Sequence, residues 1–169
     1  MRTDTVTGAR TELALLVDLP IERVWELVTD VPRHGEWSPE CVHTAWLDEA
    51  AHHEVGDRFA GRNVFPNGHE ATADCVVAEL ARPEVFAWHV LDDQERPGSI
   101  WRYELTRDGA DRTRLVHSFE HGPGNTGARV MAEESPTGLD ERLGQIRRNI
   151  TASLGAMLDG TSYREVEPA

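Results

Sequence analysis

Glu84-Val85-Phe86-Ala87-Trp88-His89-Val90-Leu91, five polar or turn residues, and then Pro97-Gly98-Ser99-Ile100-Trp101-Arg102-Tyr103-Glu104-Leu105-Thr106-Arg107 form the stretch that decides the fold. Large apolar side chains alternate on both sides of the Arg96-Pro97-Gly98 breaker: Phe86, Trp88 and Val90 before it, Trp101, Tyr103 and Leu105 after it. A period of two puts each trio on one face of a strand, and the Pro and Gly between them supply a turn. Strands joined by so short a link pair antiparallel, because a parallel pair needs a long crossover.

The same pattern repeats outward. Strands are predicted at Cys41–Leu47, Asp57–Phe65, His69–Leu80, Glu84–Leu91, Ser99–Arg107 and Arg112–His121, with further breakers at Asn67-Gly68, Arg82-Pro83 and Asp108-Gly109. Six consecutive strands with short links make an antiparallel meander, which does not suit a Rossmann fold. Upstream, Thr11–Leu19 predicts a first strand, apolar at Leu13, Leu15, Leu16 and Val17. Pro20 then fits a helix start, and Ile21, Val24, Trp25 and Val28 fall at i, i+3, i+4 and i+7 on one apolar face. Asp30-Val31-Pro32 ends that helix, and a short second helix or turn covers Arg33 to Trp37.

Downstream, Gly122 to Pro136 is rich in Gly, Pro, Asn and Thr, with an isolated helical turn placed at Arg129 to Glu134. A long last helix follows from Leu139 to Leu158, its stripe formed by Leu139, Leu143, Ile146, Ile150, Leu154 and Met157, with Gly160 as its stop. The expected architecture is α+β: a seven-stranded curved antiparallel sheet wrapped around a long C-terminal helix, with two short helices after strand one. One domain over residues 8–160 is expected, with flexible tails at 1–7 and 161–169.

Bulk composition narrows the function. The 169 residues carry a net charge of −13, which disfavours nucleic acid and anionic membranes, since both demand a basic face. All 17 basic residues are Arg, so lysine Schiff-base chemistry is excluded. Cys41 and Cys75 are too few for a disulfide framework and lack CxxC spacing. Met1 to Thr5 carries no apolar signal region and no run reaches membrane-span length, so a cytoplasmic location without stable membrane association is expected.

Three segments point to a family. Pro20-Ile21-Glu22-Arg23-Val24-Trp25-Glu26-Leu27-Val28-Thr29-Asp30 resembles the opening helix of the polyketide cyclase/dehydrase family within the START-related, birch-pollen-allergen-like (SRPBCC) superfamily. Trp37-Ser38-Pro39-Glu40-Cys41 is similar to a segment of its actinobacterial members, and Gly56-Asp57-Arg58-Phe59-Ala60-Gly61-Arg62-Asn63 to their third strand. The resemblance spans nearly the whole chain and implies the helix-grip fold. The stretch from Gly122 to Gly138 departs from it, where relatives pass more directly into the last helix.

In such a fold one helix leaves part of a bent sheet uncovered, and a retained hollow is a ligand site. Inward faces are expected at Phe59, Gly61, Asn63 and Phe65; at Phe86, Trp88 and Val90; at Trp101, Tyr103 and Leu105; and at Leu115, His117, Phe119 and His121. The ligand-contact set is Phe59, Asn63, Phe65, Phe86, Trp88, Trp101, Tyr103, His117, Phe119, Ile146 and Ile150, and His117, Tyr103 and Asn63 are the acid–base candidates. Trp25 and Trp37 are assigned to packing, and Trp46 stays open.

Other motifs carry less. Gly122-Pro123-Gly124-Asn125-Thr126-Gly127 matches GxGxxG, but no second parallel strand can follow it, so a flexible loop at the pocket mouth is the better assignment and no cofactor is expected. His52-His53-Glu54 falls in a loop, and His117 and His121 stand about 13 Å apart at strand rise, too far to share an ion. No metal is expected. Three functions remain open: carrier or sensor of a small hydrophobic or aromatic (lipid- or polyketide-like) metabolite, cofactor-independent cyclase or dehydratase, and interaction module like the superfamily's chaperone ATPase-activator homologues. The expected partner is a small hydrophobic molecule, bound by a monomer or homodimer.

Overall fold

The computed structural model describes residues 4–49, 53–65, 67–134 and 137–168. Arg10–Val17 forms β1, and Pro20 stands immediately before α1, Ile21–Val28, where a missing N–H costs no intrahelical bond. Ile21, Val24, Trp25 and Val28 are all buried, and the Thr29 hydroxyl donates to the Trp25 carbonyl at 2.7 Å where the helix ends. Helix α2, Val31–Trp37, follows at once with Pro32 in its first turn, so the proline that ends one helix opens the next.

Six strands then run in sequence: β2 Cys41–Trp46, β3 Arg58–Val64, β4 Glu70–Ala81, β5 Val85–Leu91, β6 Pro97–Arg107 and β7 Thr113–His121. Each pairs antiparallel with the next, and β7 pairs with β1. Alternation holds along β7, where Thr113, Leu115, His117, Phe119 and His121 are buried and the residues between are not. Irregular registers in β2, between Val77 and Glu79, and between Val90 and Leu91 bend the strands locally.

Helix α3, Gly127–Glu133, leads to α4, Gly138–Met157, a helix of 20 residues. Helix α4 packs Ile146, Ile150, Leu154 and Met157 into one core with Leu13, Leu15, Phe86, Leu105, Leu115 and Phe119. Its first turns depart from the expected stripe. Leu139 and Leu143 are only half-buried, and Arg142, four residues before Ile146, takes the inward position.

The sheet has eight strands, in the order β2-β3-β4-β5-β6-β7-β1-β8. Strand β8, Tyr163–Val166, lies in the segment expected to be a flexible tail and pairs with Ala14–Val17 of β1. Its side chains are mostly exposed, so no alternation marks it. What places it is main-chain bonding to the otherwise open edge of β1, helped by an Arg147–Glu165 ion pair at 2.7 Å. Residues 4–7 are also tied down: the Thr7 hydroxyl donates to Asp4 at 2.6 Å, and Val6 is buried. Residues 1–3 and 169 of the expected tails, and 135–136 of the loop, lie outside the described residues. No helix among the described residues is long and apolar enough to cross a membrane.

Leu154→Ala should lower the unfolding free energy by about 2–5 kcal/mol, because it opens a hole under α4 that the sheet cannot collapse into. Leu47→Ala, on a side chain 60% exposed, should stay within about 0.5 kcal/mol of wild type in the same urea titration.

Candidate functional site

Between the sheet and α4 lies a cavity of about 400 Å³. Phe59, Asn63, Phe65, Trp88, Trp101, Tyr103, His117, Phe119, Ile146 and Ile150 all stand on its wall. Phe86 does not. It is 1% exposed and lies beyond the cavity's end, with its ring 5.3 Å from Trp88 and 6.4 Å from His34. Alternation correctly turns Phe86 inward but cannot say how far along the groove open space extends. Trp25 is core, whereas Trp37, assigned to packing, stands on the wall. Trp46 stacks on His53 at 3.5 Å and meets Phe59 edge-on, outside the cavity lining. His53 also lies 3.4 Å from the Asp57 carboxylate, and His52 is outside the described residues.

Tyr103 on β6 and His117 on β7 are cross-strand partners, and their rings stack 3.7 Å apart at 6°. Asn63 is not beside them. It lies on β3, three strands from β6, about 14 Å along the sheet before curvature. His34 of α2 comes near that pair instead, its ring 6.4 Å from Tyr103 and 5.4 Å from Trp88. His34 escaped the sequence reading, although a signal existed: it follows buried Val31 at i+3, on the same helical face. Arg142 was missed in the same way, at i−4 from Ile146.

Burial governs the titration of these groups. His117 is held down to about 3, first by desolvation, partly opposed by its bond to the Arg102 carbonyl and reinforced by His34. His34 is lowered to about 4 by desolvation against its bond to the Val28 carbonyl. His121, at 0% exposure, is lowered to about 4 by desolvation and then by Arg129 and Arg142; neither of its ring nitrogens has a partner among the described residues. Burial also pushes the Tyr103 hydroxyl well up. All three imidazoles are therefore neutral at pH 7.

Charge on the wall is paired. The Arg142 guanidinium donates through Nη1 and Nη2 to the two oxygens of Glu40, and Asn149 Nδ2 donates to Glu40 at 3.0 Å. This joins the α2–β2 connection to α4. At the mouth, the Asp92 carboxylate accepts from the backbone N–H groups of Asn125, Arg96 and Gln94 and from Arg96 Nε, all within 3.0 Å. These donors, the Asn125 and Arg96 N–H groups foremost, hold its pKa down to about 2.

The glycine-rich loop is pinned rather than flexible. Gly122 and Gly124 donate to the Gly98 and Pro97 carbonyls at 3.0 and 2.8 Å. A Cβ on Gly122 would come within 2.2 Å of the Pro97 oxygen, and one on Gly124 within 2.5 Å of the Arg96 oxygen. These glycines serve close backbone approach, which explains the spacing without a phosphate. Among the described residues, no group of three or more His, Cys, Asp or Glu side chains is placed to hold a metal ion.

The family described as "Polyketide cyclase / dehydrase and lipid transport" matches residues 9–151. The chain belongs to that family. Solved structures agree on the fold. A polyketide-cyclase-like protein from Corynebacterium glutamicum is 27% identical, with 91% of this chain and 89% of that one covered at a TM-score of 0.57. A START superfamily protein from Mycobacterium smegmatis superimposes with a TM-score of 0.69 at 12% identity, covering 90% and 99%. An aromatase/cyclase from Streptomyces gives 0.64 at 23% identity, covering 90% and 92%. No curated protein matches the sequence.

Acid should destabilise the fold before any carboxylate with an ordinary pKa titrates. The unfolded chain takes up protons on His34, His117 and His121 near pH 6.5, while the folded chain refuses them until about 4 or below. Stability is thus complete above about pH 7 and lost as pH falls from 6.5 toward 4, by up to about 1.4 kcal/mol per pH unit for each imidazole. Urea unfolding at pH 7 and pH 5 measures this, and His117→Gln should flatten the difference.

Removing one partner of the wall ion pair should cost more than removing both. Glu40→Ala strands a buried guanidinium and should cost about 3–5 kcal/mol, most of it recovered when Arg142→Met is added. Thermal unfolding of the single and double variants measures the coupling.

Proposed function

We propose that the protein binds a small hydrophobic or aromatic metabolite, lipid- or polyketide-like, inside the cavity and serves as its carrier or sensor. The observation that carries this is the aromatic-walled space of about 400 Å³ left between sheet and helix. At about 24 cal/mol per Å³, a dry void of that size would cost about 10 kcal/mol, as much as a typical domain's whole stability. The space is therefore filled, by water or by a guest. Trp88 and Trp101, side by side on neighbouring strands with centroids 6.2 Å apart, put indole surface on the cavity wall. Membership of a family described by both cyclases and lipid transport supports a guest of that kind.

A second reading, cofactor-independent cyclase or dehydratase, is favoured by the stacked Tyr103–His117 pair on the same wall. A neutral imidazole beside a phenol suits proton transfer on an enolisable guest. Turnover of a polyketone that collapses in Tyr103→Phe and His117→Gln would assign it to this pair; turnover surviving both would remove them.

For the binding reading, titration with N-phenyl-1-naphthylamine should give saturable fluorescence with a micromolar Kd. Ile150→Trp, which pushes an indole into the cavity, should weaken it at least tenfold while the circular dichroism spectrum is kept. A non-saturating titration with wild-type protein would overturn the reading.

A further inference from the structure

His34 and His117 each spend one ring nitrogen on a main-chain carbonyl. His34 Nε2 lies 2.8 Å from the Val28 oxygen and His117 Nδ1 lies 3.0 Å from the Arg102 oxygen. A carbonyl can only accept, so those nitrogens carry the hydrogens, and the lone pairs are left on His34 Nδ1 and His117 Nε2. Neither free nitrogen has a partner among the described residues, and neither has the hydroxyl of Tyr103, whose ring stacks on His117 and lies 6.4 Å from that of His34. All three side chains line the cavity. A ligand of matching polarity in the cavity would give these groups the partners they lack.

Charge narrows the match. Arg142 is the one Arg on the described wall, and both its terminal nitrogens face Glu40. Asp92 and Asp93 stand at the mouth. A ligand carboxylate or phosphate would find no free cation and would meet like charge on entry. A hydroxyl or N–H on a flat ring would instead meet two lone pairs and a phenol.

We propose that the free nitrogens of His34 and His117, with the Tyr103 hydroxyl, form the recognition element of the cavity, and that its ligand class is an uncharged aromatic bearing hydroxyl or N–H donors. This rests on the binding function proposed above and adds His34 as a specificity-determining residue. The ring atoms supply orientation and selectivity, and the apolar wall supplies affinity.

The test is displacement of N-phenyl-1-naphthylamine by three probes of one size: 2-naphthol, 2-methoxynaphthalene and 2-naphthoate. In wild-type protein 2-naphthol should compete at least tenfold better than either of the others. His34→Phe and His117→Phe should each shrink the naphthol-to-methoxynaphthalene ratio toward one, and the displaced probe, itself an N–H donor, should bind more weakly in both. That ratio does not move if the histidines act only in packing. Equal competition by naphthol and methoxynaphthalene in wild type, or a preference for naphthoate, overturns the inference and leaves cavity binding standing. Failure of N-phenyl-1-naphthylamine to bind wild-type protein overturns both.

Discussion

A helix of 20 residues is about 30 Å long and about 10 Å wide, while eight strands at about 4.8 Å spacing spread close to 40 Å across. One such helix cannot cover that face. Bending the sheet brings its flanks toward the helix, and α1, α2 and α3 close part of the remainder, yet a hollow persists between β3–β7 and α4. The cavity follows from that mismatch of shapes. Leu154 and Met157 at one end of α4 are packed as core, while Ile146 and Ile150 a turn or two earlier look onto open space.

The hollow is mixed in character, and its polarity is placed selectively. Where charge is buried it is paired: Glu40 with Arg142 and Asn149, Asp92 with four N–H donors. Three neutral groups are left partly used: the His34 and His117 imidazoles each bond one carbonyl, and the Tyr103 phenol has no partner among the described residues. Paired charge is inert toward a guest, whereas half-used neutral groups offer directional contacts at low desolvation cost. This division separates the parts of the wall that hold the structure together from those able to recognise something.

Much of the fold was legible because the side chains declare it. The trio Phe86, Trp88 and Val90 and its neighbours in β6 and β7 mark strands by strict alternation, and the face of α1 was complete in Ile21, Val24, Trp25 and Val28. The same alternation named most of the cavity wall on the sheet. It could not tell that Phe86 stands off the cavity wall, nor that strand order sets Asn63, which does line the cavity, apart from Tyr103 and His117. It could not see β8, whose position is set by main-chain bonds to β1 and not by any side-chain period.

The sequence by itself determined the periods: which residues share a face and where turns must fall. Tertiary structure alone decided which faces meet. His34 reaches Tyr103 and His117 only because α2 packs across the sheet, and Arg142 turns inward only because Glu40, 102 residues away in sequence, waits there. Local periodicity is a property of neighbouring residues along the chain; a binding wall is assembled from residues that are neighbours only after the chain has closed on itself, and no local pattern records that distance.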